Sequence, residues 1–142
     1  MAEIIRQRTA DDELRYLATD IVLTQQAQLG MMGGWLDVWG LHRTRTGVEP
    51  MAWARMSMGS TMPGMASRDD VSSLRTLPIA QAERRFLELM IAHHRGGVHM
   101  AEAALELDLA PVARKLASSI ITTQQAEIQG MTAMLAKRSD AS

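Results

Sequence analysis

Histidine and methionine side chains that can bind a soft metal ion are concentrated in one stretch of the sequence, FLELMIAHHRGGVHMAE at residues 86–102. It contains three imidazoles and two thioethers, namely His93, His94, His99, Met90 and Met100. The chain has no cysteine, so thioether sulfur is its soft donor, and imidazole together with thioether suits copper, Cu(I) above all. In a helix, residues three, four and seven apart share a face, as Met90, His93 and Met100 do here. The stretch therefore predicts a candidate copper site.

A second group of methionines lies in a segment rich in glycine, serine and proline, MAWARMSMGSTMPGM. Closely spaced thioethers in such a segment can capture Cu(I) without a rigid geometry. Equally, the segment could fold back as an apolar cover over the helices. The residues concerned are Met51, Met56, Met58, Met62 and Met65.

A structural role competes with metal binding for the histidines. A buried imidazole needs a partner for each nitrogen, and a core glutamine can supply one as well as a metal can. We expect Gln124 to fix the tautomer of His93 or His94 from a neighbouring helix. Adjacent helical residues point about 100° apart, so the two histidines would need a second helix to bind one ion. The alternative function is therefore a structural or interaction module without metal, with a buried His/Gln network.

Other function classes find little support in the sequence. No glutamate precedes a histidine by three residues, as a di-iron bundle requires, and neither a zinc-protease motif nor a phosphate-binding loop is present. We expect no catalytic acid–base pair and no enzymatic activity. The net charge is -1 and no basic cluster occurs, which argues against nucleic acid as a partner. No apolar run reaches the length of a membrane span and no export signal is visible, so membrane association is not predicted.

Helical periodicity runs through most of the chain and predicts an all-α fold. The longest expected helices cover residues 10–39, with Thr9 as N-cap and Gly40 as stop, and residues 78–107 and 108–137. Residues 1–8 should form a short helix, and Ser67 with Asp70 resembles a capping box that opens another, ending near residue 75. Gly96 and Gly97 inside the histidine helix suggest close approach of a neighbouring helix or loop.

An internal repeat organises the chain. Residues 1–3 (MAE) recur at 100–102, and residues 24–27 (TQQA) recur at 123–126, with the same offset of 99 (100 − 1 and 123 − 24). A register held over about 36 residues indicates duplication. We therefore interpret the chain as one domain, 1–142, with a partial first repeat (1–40), a Met/Gly-rich connection (41–77) and a complete second repeat (78–138).

The first repeat lacks a counterpart of residues 86–99, and we expect truncation at the N-terminus. The apolar stripe of the helix at 10–39, including Ile21, Met32 and Leu36, would then be uncovered. A homodimer is the expected remedy, because self-complementary twofold contacts are the commonest in oligomers. The alternative is a monomer in which the methionine-rich segment fills the space.

These motifs resemble a bacterial family of unknown function, DUF305. The resemblance rests on Phe-Leu-x-x-Met-Ile-x-His-His ending in Met-Ala, here residues 86–101, and on Gln-x-Glu-Ile-x-x-Met at 125–131. It implies a ferritin-like four-helix bundle made of two helical hairpins, with the first His-His helix missing here. It also implies an extracytoplasmic, periplasmic or secreted protein, and copper binding or tolerance for some members. By that resemblance His93, His94, Met90 and Met100 carry the family motif.

Overall fold

The computed structural model describes residues 1–43, 62 and 64–139, and within these ranges the chain forms five helices and no strand. They are α1 (Ala2–Arg8), α2 (Asp12–Val38), α3 (Arg68–Thr76), α4 (Ile79–Leu105) and α5 (Pro111–Ser139). The predicted all-α fold is confirmed. No helix in the described ranges combines the length and apolarity that crossing a bilayer would require.

The histidine helix α4 lies at the centre of the core. Phe86, Leu87, Met90 and Ile91 are buried on it, and one turn later His94 is buried as well. Because these positions recur at helical spacing, they form one broad apolar face, and α5 packs along that face in the most extensive helix–helix contact of the described structure. Met131 and Met134 are the buried α5 residues in the core cluster.

The internal repeat is visible in the arrangement of the helices. Asp12, the first residue of α2, and Pro111, the first residue of α5, are separated by the offset of the sequence repeat (111 − 12 = 99). The seven-residue α1 packs on α2 and buries Leu14, Ala18 and Ile21. The contact between α2 and α5 is much smaller in the described structure.

Local capping differs from the sequence prediction at one helix start. The N-cap of α2 is Asp11, whose carboxylate accepts a hydrogen bond from the Leu14 backbone N–H, and the prediction of Thr9 was wrong. Thr9 instead accepts from the Asp11 N–H and donates to Glu83 on α4 at 2.5 Å, because it is buried at the junction of α1, α2 and α4.

Two other predicted signals are confirmed. Ser67 and Asp70 form the complete capping box at the start of α3, and Asp70 also pairs with Arg85 of α4 at 2.5 Å. Gly40, directly after the end of α2, has φ +66°, a conformation that favours glycine. Together these contacts fix the ends of the helices that position α4.

Candidate functional site

A buried imidazole–carboxylate pair joins α4 to α5. His94 Nε2 lies 2.6 Å from Glu127 Oε2, and the exposed fractions of the two side chains are 0% and 12%. A carboxylate accepts, so we assign the ring proton to Nε2, which donates to Glu127 and leaves a lone pair on Nδ1. The pair therefore fixes both the orientation of the ring and the tautomer of His94.

Three acceptor atoms around this pair lack a partner. Within the described part of the chain, His94 Nδ1, Glu127 Oε1 and Gln124 Oε1 are buried and accept no hydrogen bond from the protein. Buried polar atoms are usually satisfied, so a group of three acceptors without donors calls for a specific explanation. All three atoms can donate an electron pair to a cation.

A glycine of α4 faces the Gln124 side chain of α5 at this level. A Cβ on Gly97 would lie 2.3 Å from Gln124 Oε1, which confirms the predicted close approach at this position. Gln124 thus lies against the α4 backbone. The expectation that it fixes a histidine tautomer was wrong for His94, because Glu127, one helical turn further along α5, occupies that position.

His93 is half-buried beside this pair. Its ring centroid lies 6.1 Å from that of His94, with the planes at 70°. Burial of the imidazole, and after it the neighbouring His94, lowers the pKa of His93, while a hydrogen bond with the Gly64 backbone acts in the opposite direction. A lowered pKa keeps the ring neutral at neutral pH, the form that binds metals.

A segment preceding α3 is seated directly on this turn of α4. Gly64 has φ +74°, and a Cβ placed on it would lie 2.3 Å from the Ala92 carbonyl oxygen and 2.9 Å from His93 Cα. Only glycine fits that approach without a shift of the backbone. It brings the flanking methionines, half-buried Met62 and largely exposed Met65, into the same part of the molecule.

Two grooves meet at His93, and each contains one methionine of α4. One, of about 350 Å³, is lined by Met90 and His93 from α4 and by residues of α1 and α2. The other, of about 630 Å³, is lined by His93, Met100 and Gln124, with Gln25 on the α2 side. His93 is therefore the predicted ligand that lines both grooves, one together with Met90 and the other together with Met100.

One predicted ligand lies apart from this group, and three predicted methionines are not among the described residues. His99 is exposed on α4, away from the buried side of the helix. Met51, Met56 and Met58 lie outside the described residues, so their place in the proposed site stays a prediction.

Sequence reasoning missed Glu127. The Glu-x-x-His pattern covers only glutamates on the same helix as a histidine, whereas this pair joins two helices. A signal was nonetheless present in the Gln-x-Glu-Ile-x-x-Met pattern, in which Glu127 is the acidic position.

The donor set distinguishes between metal classes. In the described part of the chain, no three His, Asp or Glu side chains come together as they would in a zinc or di-iron site. Along α4, the imidazoles of His93 and His94 lie between the thioethers of Met90 and Met100 in sequence. The Glu127 carboxylate forms a hydrogen bond with one of the two imidazoles. The residues present thus fit a soft ion better than a hard one.

Comparisons with known proteins agree on the family. The sequence matches the domain of unknown function DUF305 over residues 1–135. No curated protein matches the chain. Among solved structures, it is similar to a DUF305 "putative secreted protein" of Streptomyces coelicolor, with 44% identity, a TM-score of 0.90, and coverage of 97% of this chain and 82% of that one.

A second similar structure is a DUF305 fragment of Deinococcus radiodurans, with 39% identity and a TM-score of 0.79, over 96% of this chain and 83% of that one. The family match and both structures confirm the resemblance that the histidine helix indicated. This chain, with its His-His helix α4 packed on α5, belongs to the DUF305 family.

Proposed function

We propose that this protein binds and buffers copper, taking Cu(I) through His93, His94, Met90 and Met100, with Met62 and Met65 close to the site. One observation carries the proposal: His94 Nε2, which we assign as the donor, lies 2.6 Å from Glu127 Oε2, while the buried Nδ1 has no protein partner in the described structure. Metal-binding histidines characteristically donate their second ring N–H to a carboxylate in this way. In a purely structural pair, the Nδ1 lone pair would remain buried and unsatisfied.

The other donors complete a soft set. His93 is adjacent in sequence, is neutral at neutral pH because burial lowers its pKa, and lines the two grooves that contain the methionines of α4. Bound there, a copper ion would be held by the protein in the reduced state that sulfur ligands favour. His99 is exposed and is left outside the ligand set. An extracytoplasmic location is part of the proposal. It is supported by the similar Streptomyces coelicolor protein, which is described as secreted.

Anaerobic titration with Cu(I) against a chromophoric chelator tests the proposal. We expect one tightly held equivalent, a large loss of affinity in His93→Gln and His94→Gln, and a 10–100-fold loss in Glu127→Gln, which is typical of removing a carboxylate that supports a histidine ligand. His99→Gln and His42→Gln, both at exposed histidines, serve as matched controls and should change nothing.

The opposite result would favour the alternative function, a helical module whose buried histidine has only a structural role. The copper proposal is wrong if His93→Gln and His94→Gln take Cu(I) from the chelator as well as the unaltered protein does. It is also wrong if the unaltered protein takes no Cu(I) from the chelator.

A further inference from the structure

The second long helix, α2, carries an unusual uncharged run. From Ile21 to Leu36 it has no Asp, Glu, Lys or Arg on any face, and Asp20 and Asp37 bound the run. At 1.5 Å per residue this run is about 24 Å long. A helix that lacks charge around its whole circumference is typically covered by protein on more than one side.

In the described structure much of the C-terminal half of α2 is exposed. Leu29, Met32 and Trp39 are 65%, 37% and 45% exposed. These three residues line the 630 Å³ groove between α2 and the α4–α5 pair. Contiguous exposed apolar surface of this kind marks an interaction site.

The exposed stripe continues an interface that already exists. Leu14, Ala18 and Ile21, earlier on the same face of α2, are buried under α1. The seven residues of α1 extend over the first half of the stripe only. The groove is therefore the open end of a helix–helix interface.

The internal repeat shows what such a face accommodates. The offset of 99 pairs Met32 of α2 with Met131 of α5, and Leu29 with Ile128. Met131 is fully buried, and α4 is the helix that packs along α5. By the repeat, the equivalent face of α2 corresponds to a face that a helix covers in the second copy.

We propose that a second copy of this chain occupies the groove, with the uncharged runs of the two α2 helices packed against each other about a twofold axis. The absence of charge on the run disfavours an acidic or basic partner and suits an identical, equally uncharged helix. One self-complementary contact covers both exposed stripes at once. Since His93 and Met100 line the same groove, the partner's α2 would also lie over that side of the histidine helix.

Sedimentation equilibrium of the metal-free chain, with chelator present, tests this proposal separately from copper binding. We expect a mass near twice 15.6 kDa at micromolar concentration. Leu29→Glu and Met32→Glu each place a charge in the contact and should raise the dissociation constant at least 100-fold. Val112→Glu, on α5 at a residue that is 45% exposed and outside the groove, is the matched control and should stay dimeric.

Folding of the variants is checked by circular dichroism, and a milder change, Met32→Gln, should weaken the dimer without introducing a charge. A mass of 15.6 kDa at every concentration would overturn the proposal. A dimer that remains intact in Leu29→Glu would also overturn it. The same holds for a monomeric protein that binds an added peptide of residues 84–102.

Discussion

Removing the carboxylate behind the buried histidine should cost the protein a large part of its stability. Glu127→Ala deletes the acceptor that lies 2.6 Å from His94 Nε2. The His94 side chain has no exposure, so water cannot readily replace the lost acceptor without a rearrangement. The variant would hold a buried imidazole with neither nitrogen bonded to a protein group in the described structure.

The magnitude follows from the burial. A hydrogen bond to a charged group contributes about 1.5–3 kcal/mol, and an unsatisfied buried donor adds about 1–3 kcal/mol. Glu127 is itself 12% exposed, so partial access of water places the total near the lower end, at about 3 kcal/mol. For a chain of this size, roughly 3 °C per kcal/mol gives a decrease in Tm of about 9 °C.

Urea unfolding of metal-free protein at fixed concentration measures the effect. Glu127→Gln keeps an amide oxygen as acceptor and should cost about 1 kcal/mol. Glu13→Ala removes an exposed pairing with Lys137 at 3.4 Å and should change stability by less than about 0.5 kcal/mol. A double-mutant cycle with His94→Ala should return a coupling of about 2 kcal/mol.

The reasoning is refuted if Glu127→Ala is no more destabilising than Glu13→Ala. A coupling energy near zero would also contradict it, because the two side chains would then contribute independently.

Three further predictions concern the backbone and the ends of helices. Gly64→Ala should destabilise the protein by at least about 2 kcal/mol more than Gly40→Ala in urea unfolding, because both need a positive φ but a Cβ at Gly64 would also strike the α4 backbone. Gly130→Ala, with open space around its Cβ inside α5, should raise the free energy of unfolding by about 0.5–1 kcal/mol. A hydrogen bond from Ser67, and after it one from Arg85, lowers the pKa of Asp70 from its ordinary 3.8 to about 2. The stabilising effect of the ionised Asp70 is therefore complete above pH 3.8 and is lost as the pH falls towards 2. Asp70→Asn should lower the Tm at pH 6 and change it little near pH 2, which a series of Tm measurements across that range would show.

The helices could be predicted because their signals are local. Apolar positions at helical spacing, Gly40 at a helix end and the Ser67–Asp70 capping box each act within one or two turns. Thr9 was misassigned because two capping residues lie close together, and a tertiary contact with Glu83 decided between them. Such a contact between α1–α2 and α4 has no local signature.

The candidate site could be predicted only in part. The donors of α4 lie on one helix, so their spacing placed Met90, His93 and Met100 together. The partner of His94 depends on the axial register between α4 and α5. A shift of one turn exchanges Gln124 for Glu127, and periodicity does not determine that shift. In the structure Gln124 Oε1 lies against Gly97, a contact that a Cβ at this position would obstruct.

The measurement that tests copper binding most directly is X-ray absorption spectroscopy at the copper edge, on protein loaded anaerobically with one equivalent of Cu(I). The proposed ligands predict a first shell of both nitrogen and sulfur, with fewer nitrogen neighbours in His94→Gln and fewer sulfur neighbours in Met90→Leu. The control variant His99→Gln should give an unchanged spectrum. A shell of nitrogen and oxygen alone, or one that stays the same in His94→Gln, would contradict the assignment of this histidine helix as a copper site.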